Sequence, residues 1–579
     1  MLFPMYTVAV ELVLEMTEVL PHEELKAKRQ LTVFEDDVGA RAAFVSHQWV
    51  ARHHPDPEFA QMSVLQRALQ RLLARNVVPI DLATETYLPT ATPLPMREFQ
   101  TSSLFLWYDY FSVPQLEQCD QAKAINSIPA YVAKCVLFLV LCPTIECPSA
   151  SKVLGALTWS QRGWCALERT ARELSPCSSW ILIQSSTCVE LVGGRISFPR
   201  VSVGEGNFAK EEDRQKLAPV MRNIVMSKIM HCLRVGDLPG FRIQFNAQSV
   251  YLRGLDVEPV SSILPDNNAD QADIRDAVGH FLYQNGLTKI NEADSGGWWP
   301  LHYAALAGKA EVVRGLLQQR AAVNQRTSKE VLSLGVSRWV SALDVAVLFK
   351  RHEAARLLIS ARANLEGGIV SAMQCAAAAD SREAIKMLCA AEGKPLARDL
   401  IGISSFDTAS SFNCQMAVDE LVAQAQLNPL VLSKGLHIAT FFRGGSADLV
   451  QYLLDLQADI DFRFDMKRDY SRLGRLLVGA KALQYRLGKA TALSTLAYHI
   501  HGSTPLMQAV RSAQYEAAAT LIACGAQLEL RNCRGWTAAD FAEGQSIPRF
   551  LQKGLDGDRS ECKQVASLAL KHGTIEVVL

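Results

Sequence analysis

Trp299-Pro300-Leu301-His302-Tyr303-Ala304-Ala305 is the stretch whose pattern recurs through the C-terminal half of the chain. It runs on through Gly308 into Val312-Val313-x-x-Leu316-Leu317 and Ala322-Val323-Asn324. The same order restarts at Ser341-Ala342-Leu343-Asp344-Val345-Ala346, at Ser371-Ala372-Met373-Gln374-Cys375-Ala376, at Gly435-Leu436-His437-Ile438-Ala439 and at Thr504-Pro505-Leu506-Met507-Gln508-Ala509. Ser405-Phe406-Asp407-Thr408-Ala409 is a degenerate copy, and Gly535-Trp536-Thr537-Ala538-Ala539-Asp540 a half copy. Several steps lie near a period of about 33 residues. Units of that size cannot bury an apolar face alone. Stacked, they bury one continuous core and present a concave face.

The quoted block closely resembles the ankyrin signature T-P-L-H-x-A. The resemblance implies a helical solenoid over residues 286–550. In it Thr and Pro set the turn, His bonds neighbouring turns and Ala lets helices approach. His302 and His437 are then scaffold residues, and the concave face takes a protein partner. The step from Leu436 to Leu506 exceeds two periods without a good copy between them. Residues 463–500 read instead as an insertion, a helical finger or long loop. It has eight basic and two acidic residues through Lys489. That is either a solvated excursion or a basic contact for an acidic protein or nucleic acid. The tail, 551–579, reads as a last helix and a short disordered end.

The N-terminal half has another rhythm. After a lead-in over residues 1–40, short apolar runs alternate with helical spacing. Ala42-Ala43-Phe44-Val45 precedes Ser46-His47-Gln48-Trp49, and Met62 to Leu73 has helical spacing. Leu104 to Tyr108 precedes Asp109, Cys135 to Cys142 is stopped by Pro143, and Trp180 to Gln184 closes the series. Four apolar strands separated by helices predict βαβ units and a parallel sheet covered on both faces. Ligands bind such sheets beyond the carboxyl ends of the strands. Ser46, His47 and Asp109 fall at those ends, and Glu168 on the helix after the third strand. Glu168 also precedes Arg172 by four residues, the spacing of a surface ion pair worth about 0.2–0.5 kcal/mol. A site and a salt bridge are both open to it.

Phe44-Val45-Ser46-His47, Ile128 to Cys135 and Gly163-Trp164-Cys165-x-x-Glu168 resemble Toll/interleukin-1 receptor (TIR) domains. Leu106-Trp107-Tyr108-Asp109, Pro114-Gln115 and Arg162-Gly163-Trp164 with Glu168 resemble heterokaryon-incompatibility (HET) domains at least as closely. The likeness covers about residues 41–190. It implies a flavodoxin-like fold and self-association. In the enzymatically active members it also implies cleavage of NAD at the nicotinamide–ribose bond, with Glu168 the catalytic candidate. Ser46, His47, Trp49, Asp109 and Trp164 would then line the NAD-binding rim. The chain departs from that pattern between Arg52 and Leu104, where it is longer, and it has no clear second TIR box.

Residues 191–285 carry no motif. Val220 to Leu233 reads as a helix with Pro219 in its first turn, Phe241 to Leu252 alternates like a strand or hairpin, and Asp273 to Tyr283 reads as helix. The totals point to several domains in 579 residues. With 59 basic and 59 acidic side chains, nucleic acid and anionic membranes are not called for globally. The 14 cysteines form no framework, which suggests a reducing, cytoplasmic setting. His47, His53, His54 and Cys119 lack metal-site spacing. Glu11, Glu15 and Glu18 argue against a signal peptide. Val136 to Cys142 is far short of a membrane span, which needs about 20 residues.

Overall fold

The computed structural model describes residues 2–35, 39–88, 91–100, 102–147, 152–193, 201–263 and 277–570. The chain forms two compact units. One comprises Met1–Phe198, Leu432–Met466 and Leu476–Leu579, and the other Pro199–Val431 and Lys467–Arg475. The first unit therefore joins the N-terminal sheet to the last repeats.

Seven strands make the main sheet: β1 (Tyr6–Ala9), β2 (Thr32–Val33), β3 (Ala40–His47), β4 (Ser103–Tyr108), β5 (Leu137–Leu141), β6 (Trp180–Ile183) and β7 (Val189–Val192). Their spatial order is β7-β6-β5-β3-β4-β1-β2. β3 pairs in parallel with β4 and β5, and β5 with β6. These are the four strands expected from the apolar runs, in the order second, first, third, fourth. β1, β2 and β7 pair antiparallel at the two edges. β1 lies in the stretch read as a lead-in, so part of that stretch belongs to the sheet.

Alternation along β3 divides the core. Ala43 and Val45 face helix α1 (Ala60–Ala74), whose Met62, Leu65, Leu69 and Leu72 join Leu139 and Ile181 in one buried cluster. On the opposite face Phe44 stacks between Trp107, at 4.2 Å, and Phe138, at 5.2 Å. Each such buried ring contributes about 2–3 kcal/mol of transfer free energy. Helices α2 (Gln118–Lys134) and α3 (Gly163–Leu174) pack on each other and on β3.

Arg172, on α3, is buried and is no partner of Glu168. Its guanidinium donates to the carbonyls of Cys135 (2.6 Å), Val136 (2.9 Å) and Ser179 (2.7 Å). This corrects the expected surface pair: the helix turns Arg172 inward, where it ties α3 to the chain entering β5 and β6.

The second unit opens with helices α4 (Glu212–Arg234) and α5 (Leu238–Tyr251). Pro219 lies inside α4 rather than in its first turn. Residues 241–252, expected as a strand or hairpin, are almost wholly helical. The alternating polar residues Arg242, Gln244, Asn246 and Gln248 are all buried. Arg242 Nη1 donates to Asp294 at 2.7 Å and Asn246 Nδ2 to Asn285 at 2.6 Å. Their partners are protein groups, so polarity here does not mark the solvent face. A helix follows at Ala277–Gln284, and the beginning of the expected Asp273–Tyr283 helix lies outside the described residues.

The repeats form helix pairs where the signature recurs: Pro300–Ala307 with Ala310–Gln318, Ala342–Leu348 with His352–Ser360, Ala372–Ala378 with Arg382–Ala390, and Ser405–Ser411 with Gln415–Gln424. Further along the chain Pro429–Phe441 leads to Ala447–Asp455, Pro505–Arg511 to Tyr515–Ala523, and Ala538–Ala542 to Arg549–Leu555, with a last helix at Ser560–Leu570. Residues 571–579, the expected disordered end, lie outside the described residues. The signature Ser or Thr is the helix N-cap. Ser341 Oγ accepts from Asp344 N (3.1 Å) while the Asp344 carboxylate accepts from Ser341 N (2.7 Å). Ser404 and Asp407 do the same. Such caps are worth about 1 kcal/mol each. His302 Nε2 meets Val340 O at 3.1 Å, and burial pulls its pKa down to about 4, so the ring is a neutral scaffold group. His437 Nε2 meets Ser503 Oγ at 3.0 Å.

The insertion is helical: Met466–Asp469, α6 (Arg472–Arg486) and α7 (Ala492–His499). Glu85, from the N-terminal part, holds the portion from Leu476 onward within the first unit. The Glu85 carboxylate accepts from Thr491 Oγ1 (2.8 Å), Leu493 N (2.9 Å) and Lys481 Nζ (3.1 Å). A second tie joins the sheet edge to the repeats. Arg443 donates to Glu190 (2.8 Å) and Gln184 (2.8 Å) and lies 3.6 Å from Asp81. Among the described residues no helix is long and apolar enough to cross a membrane.

Candidate functional site

The carboxyl end of β3 carries two polar clusters, one on each face of the sheet. Successive strand residues point opposite ways, so Ser46 and His47 part company there. Ser46 meets α3, and His47 meets the chain leaving β4.

On the α3 face, Ser46 Oγ donates to Glu168 Oε2 at 2.6 Å and accepts from Trp159 Nε1 at 3.0 Å. An indole N–H can only donate. The Ser46 oxygen thus takes the Trp159 N–H while its own O–H is directed at Glu168. The Glu168 side chain remains partly accessible, but its surroundings are poor in solvent. Burial raises its pKa to about 8; the Ser46 hydrogen bond and Arg162 oppose the rise, while the charge of Asp109 adds to it. At neutral pH Glu168 is largely protonated, with its Oε2 lone pair occupied by Ser46. Trp164, one turn earlier on the same helix, is half-buried. Cys165 Sγ lies 3.6 Å from His47 O, and burial holds this thiol far above its ordinary pKa.

On the other face, His47 Nε2 lies 2.8 Å from Asp109 Oδ1, and Trp49 Nε1 donates to Asp109 Oδ2 at 2.7 Å. The His47 ring stacks on Tyr108 at 4.0 Å between centroids. Burial pushes the Asp109 carboxyl up, yet the charge of His47 and hydrogen bonds from His47 and Trp49 outweigh it and leave the pKa lowered. Asp109 is thus an ionised carboxylate beside an acid that holds its proton. Two carboxyls with opposite protonation at one end of the sheet can divide the tasks of binding a cation and moving a proton.

The structure pairs Ser46 with Glu168, and His47 and Trp49 with Asp109. Trp159 proves to be the donor that orients Ser46; an indole within reach of a strand-end serine leaves no spacing signal in sequence. His54, also weighed as a metal ligand, is engaged with Val19 O through Nε2 at 3.0 Å. Glu516 was not foreseen at all. It accepts from Ala447 N at 2.8 Å, and burial raises its pKa to about 7.

Comparison with known proteins identifies an ankyrin repeat at residues 296–328. No curated protein matches the chain. Among solved structures, the human ASB11 ankyrin repeat domain is 22% identical over 45% of this chain and 96% of its own, with a TM-score of 0.31. The ankyrin repeat domain of Bcl-3, described as a unique member of the IkappaB protein family, is 20% identical over 45% of this chain and 100% of its own, with a TM-score of 0.30.

Proposed function

We propose that this chain is a cytoplasmic interaction and signalling protein. Its ankyrin repeats bind a protein partner, and its N-terminal domain, flavodoxin-like and related to TIR and HET domains, self-associates or signals. The observation that carries the reading is the array of capped helix pairs around the matched repeat at 296–328. Ankyrin stacks use their loops and concave face for recognition. Here the connecting loops of the second unit expose Leu332, Trp339 and Leu400 to 46%, 51% and 57%. Large apolar side chains, Trp above all, are the usual anchors of an interface. The test is affinity capture from cells with the full chain and with a Leu332→Ala/Trp339→Ala/Leu400→Ala variant. A protein retained by the first and lost by the second supports the reading; equal retention defeats it.

A second reading rests on Glu168: the N-terminal domain cleaves NAD. The C–N bond between nicotinamide and ribose breaks, nicotinamide leaves with the electron pair, and water adds to the ribose carbon with loss of a proton. A carboxylate facing the oxocarbenium-like centre stabilises its charge. Glu168, neutral when the site is empty, would ionise as the positively charged nicotinamide ring approaches. Trp49 or Trp164 would stack on the base, with Ser46, His47 and Asp109 completing the rim. Purified full chain is incubated with NAD. Nicotinamide release that disappears in a folded Glu168→Ala variant supports this reading, and no release in any oligomeric state removes it.

A further inference from the structure

Helix α6 carries its apolar stripe on the outside. Leu473, Leu476, Leu477, Leu483 and Leu487 fall on one face at helical spacing, and they are exposed to 44%, 70%, 50%, 54% and 71%. The Leu487 amide still bonds Leu483 O at 3.0 Å, so the stripe continues past the last helical residue. The charged residues around it are basic. Residues 470–490 contain Arg472, Arg475, Lys481, Arg486 and Lys489, and no acidic residue. A helix that exposes five leucines to water forgoes several kcal/mol of transfer free energy, at about 25 cal/mol per Å². Something apolar, with negative charge around it, fits this face.

We propose that α6 is an interfacial helix that docks the protein on an anionic lipid surface, its leucines in the acyl boundary and its basic side chains at the headgroups. Two observations select this occupant. The charge is wholly of one sign, which matches an anionic surface. The inner side of the helix is already engaged, with Lys481 on Glu85 at 3.1 Å and Tyr485 stacked on Tyr498 at 4.7 Å. A planar surface reaches the open side without disturbing those contacts. A protein that clamps around a helix would have to break them. The insertion thereby gains a role that the repeats and the N-terminal site do not supply.

The test is flotation of the full chain with vesicles of phosphatidylcholine alone and of phosphatidylcholine with phosphatidylserine. Binding is expected only with phosphatidylserine, and it weakens as salt rises. An Arg486→Gln/Lys489→Gln variant should lower the partition about 25-fold, roughly fivefold per basic side chain at such a surface. A Leu476→Gln/Leu483→Gln/Leu487→Gln variant should abolish it. All five side chains are exposed, so both variants should melt like the parent, which a thermal scan verifies. No binding to phosphatidylserine vesicles, or equal binding by parent and both variants, overturns the proposal. So does tight binding of calcium-loaded calmodulin without vesicle binding, or a dimer that the leucine substitutions dissolve, since each assigns the face to another occupant.

Discussion

Ser46 donates to Glu168 Oε2 at 2.6 Å while its oxygen accepts the indole N–H of Trp159 at 3.0 Å. A strand-end hydroxyl thus holds one oxygen of an acid whose pKa burial lifts to about 8. The other oxygen is left to carry the proton or to meet a ligand.

The first prediction follows from that raised pKa. Below the ordinary range of a glutamate, both folded and unfolded chains hold the proton and Glu168 adds nothing. Between that range and about pH 8 the unfolded chain has ionised while the folded chain keeps its proton, so stability falls as pH rises. Above about 8 the full penalty of a buried charge remains. Glu168→Gln does not titrate and still accepts from Ser46. Its advantage over the parent should grow from near zero at pH 4.5 to about 2–4 kcal/mol at pH 9, after allowance for partial exposure. Denaturant titrations of both proteins across that range check it; a gap that is constant with pH excludes a raised Glu168.

Arg172 gives the second. Removing its side chain leaves three inward-facing carbonyls without the donor that serves them. Arg172→Ala should cost about 3–5 kcal/mol. Arg172→Lys should recover only part of this, because an ammonium cannot span the guanidinium's fork. Since α3 also carries Glu168, the alanine variant should move the Glu168 titration as well as the denaturation midpoint.

These two residues mark what sequence could reveal. The four apolar runs are legible because a strand buried on both faces needs no alternation, and their polar ends located Ser46, His47 and Asp109. Glu168 and Arg172, four apart, looked like a solvated pair. Spacing on a helix says that two side chains are neighbours, not that a third group lies closer to each. Ser46 comes from 122 residues away. β1 was hidden because four residues run straight into the helix Val10–Glu15 with no turn signal between them. The α5 segment was misread for the opposite reason. Its polar alternation was real, but every polar group found a protein partner. The ankyrin half was legible because its caps and small residues serve local geometry, which repeats with the sequence.

Arg443 supplies a third prediction. Burial raises the pKa of Glu190, and the charge of Arg443 restrains it. Arg443→Met leaves Glu190 and Asp81 facing each other in a site poor in water. The variant should lose about 3–5 kcal/mol at neutral pH. The loss should shrink on acidification, because Glu190 then takes up the proton it is driven to hold. Adding Glu190→Gln should restore part of the stability. A double-mutant cycle across pH measures this coupling, and additive effects would show that the pair does not interact.

Glu85 is the last. One carboxylate collects a hydroxyl, a backbone amide and an ammonium, all from the insertion. The amide of Leu493 belongs to the first turn of α7, where the helix dipole favours a negative charge. Glu85→Ala removes all three acceptor contacts and should cost about 1–3 kcal/mol. The loss should be local, since the core of β3 and β5 does not pass through Glu85. Amides of residues 476–499 should therefore exchange with solvent about ten times faster or more, at roughly 1.4 kcal/mol per tenfold, while those of β3 and β5 hold their rates. Glu85→Gln retains one acceptor oxygen and should fall between. Uniform acceleration across the sheet would mean that Glu85 supports the whole unit and not the insertion alone.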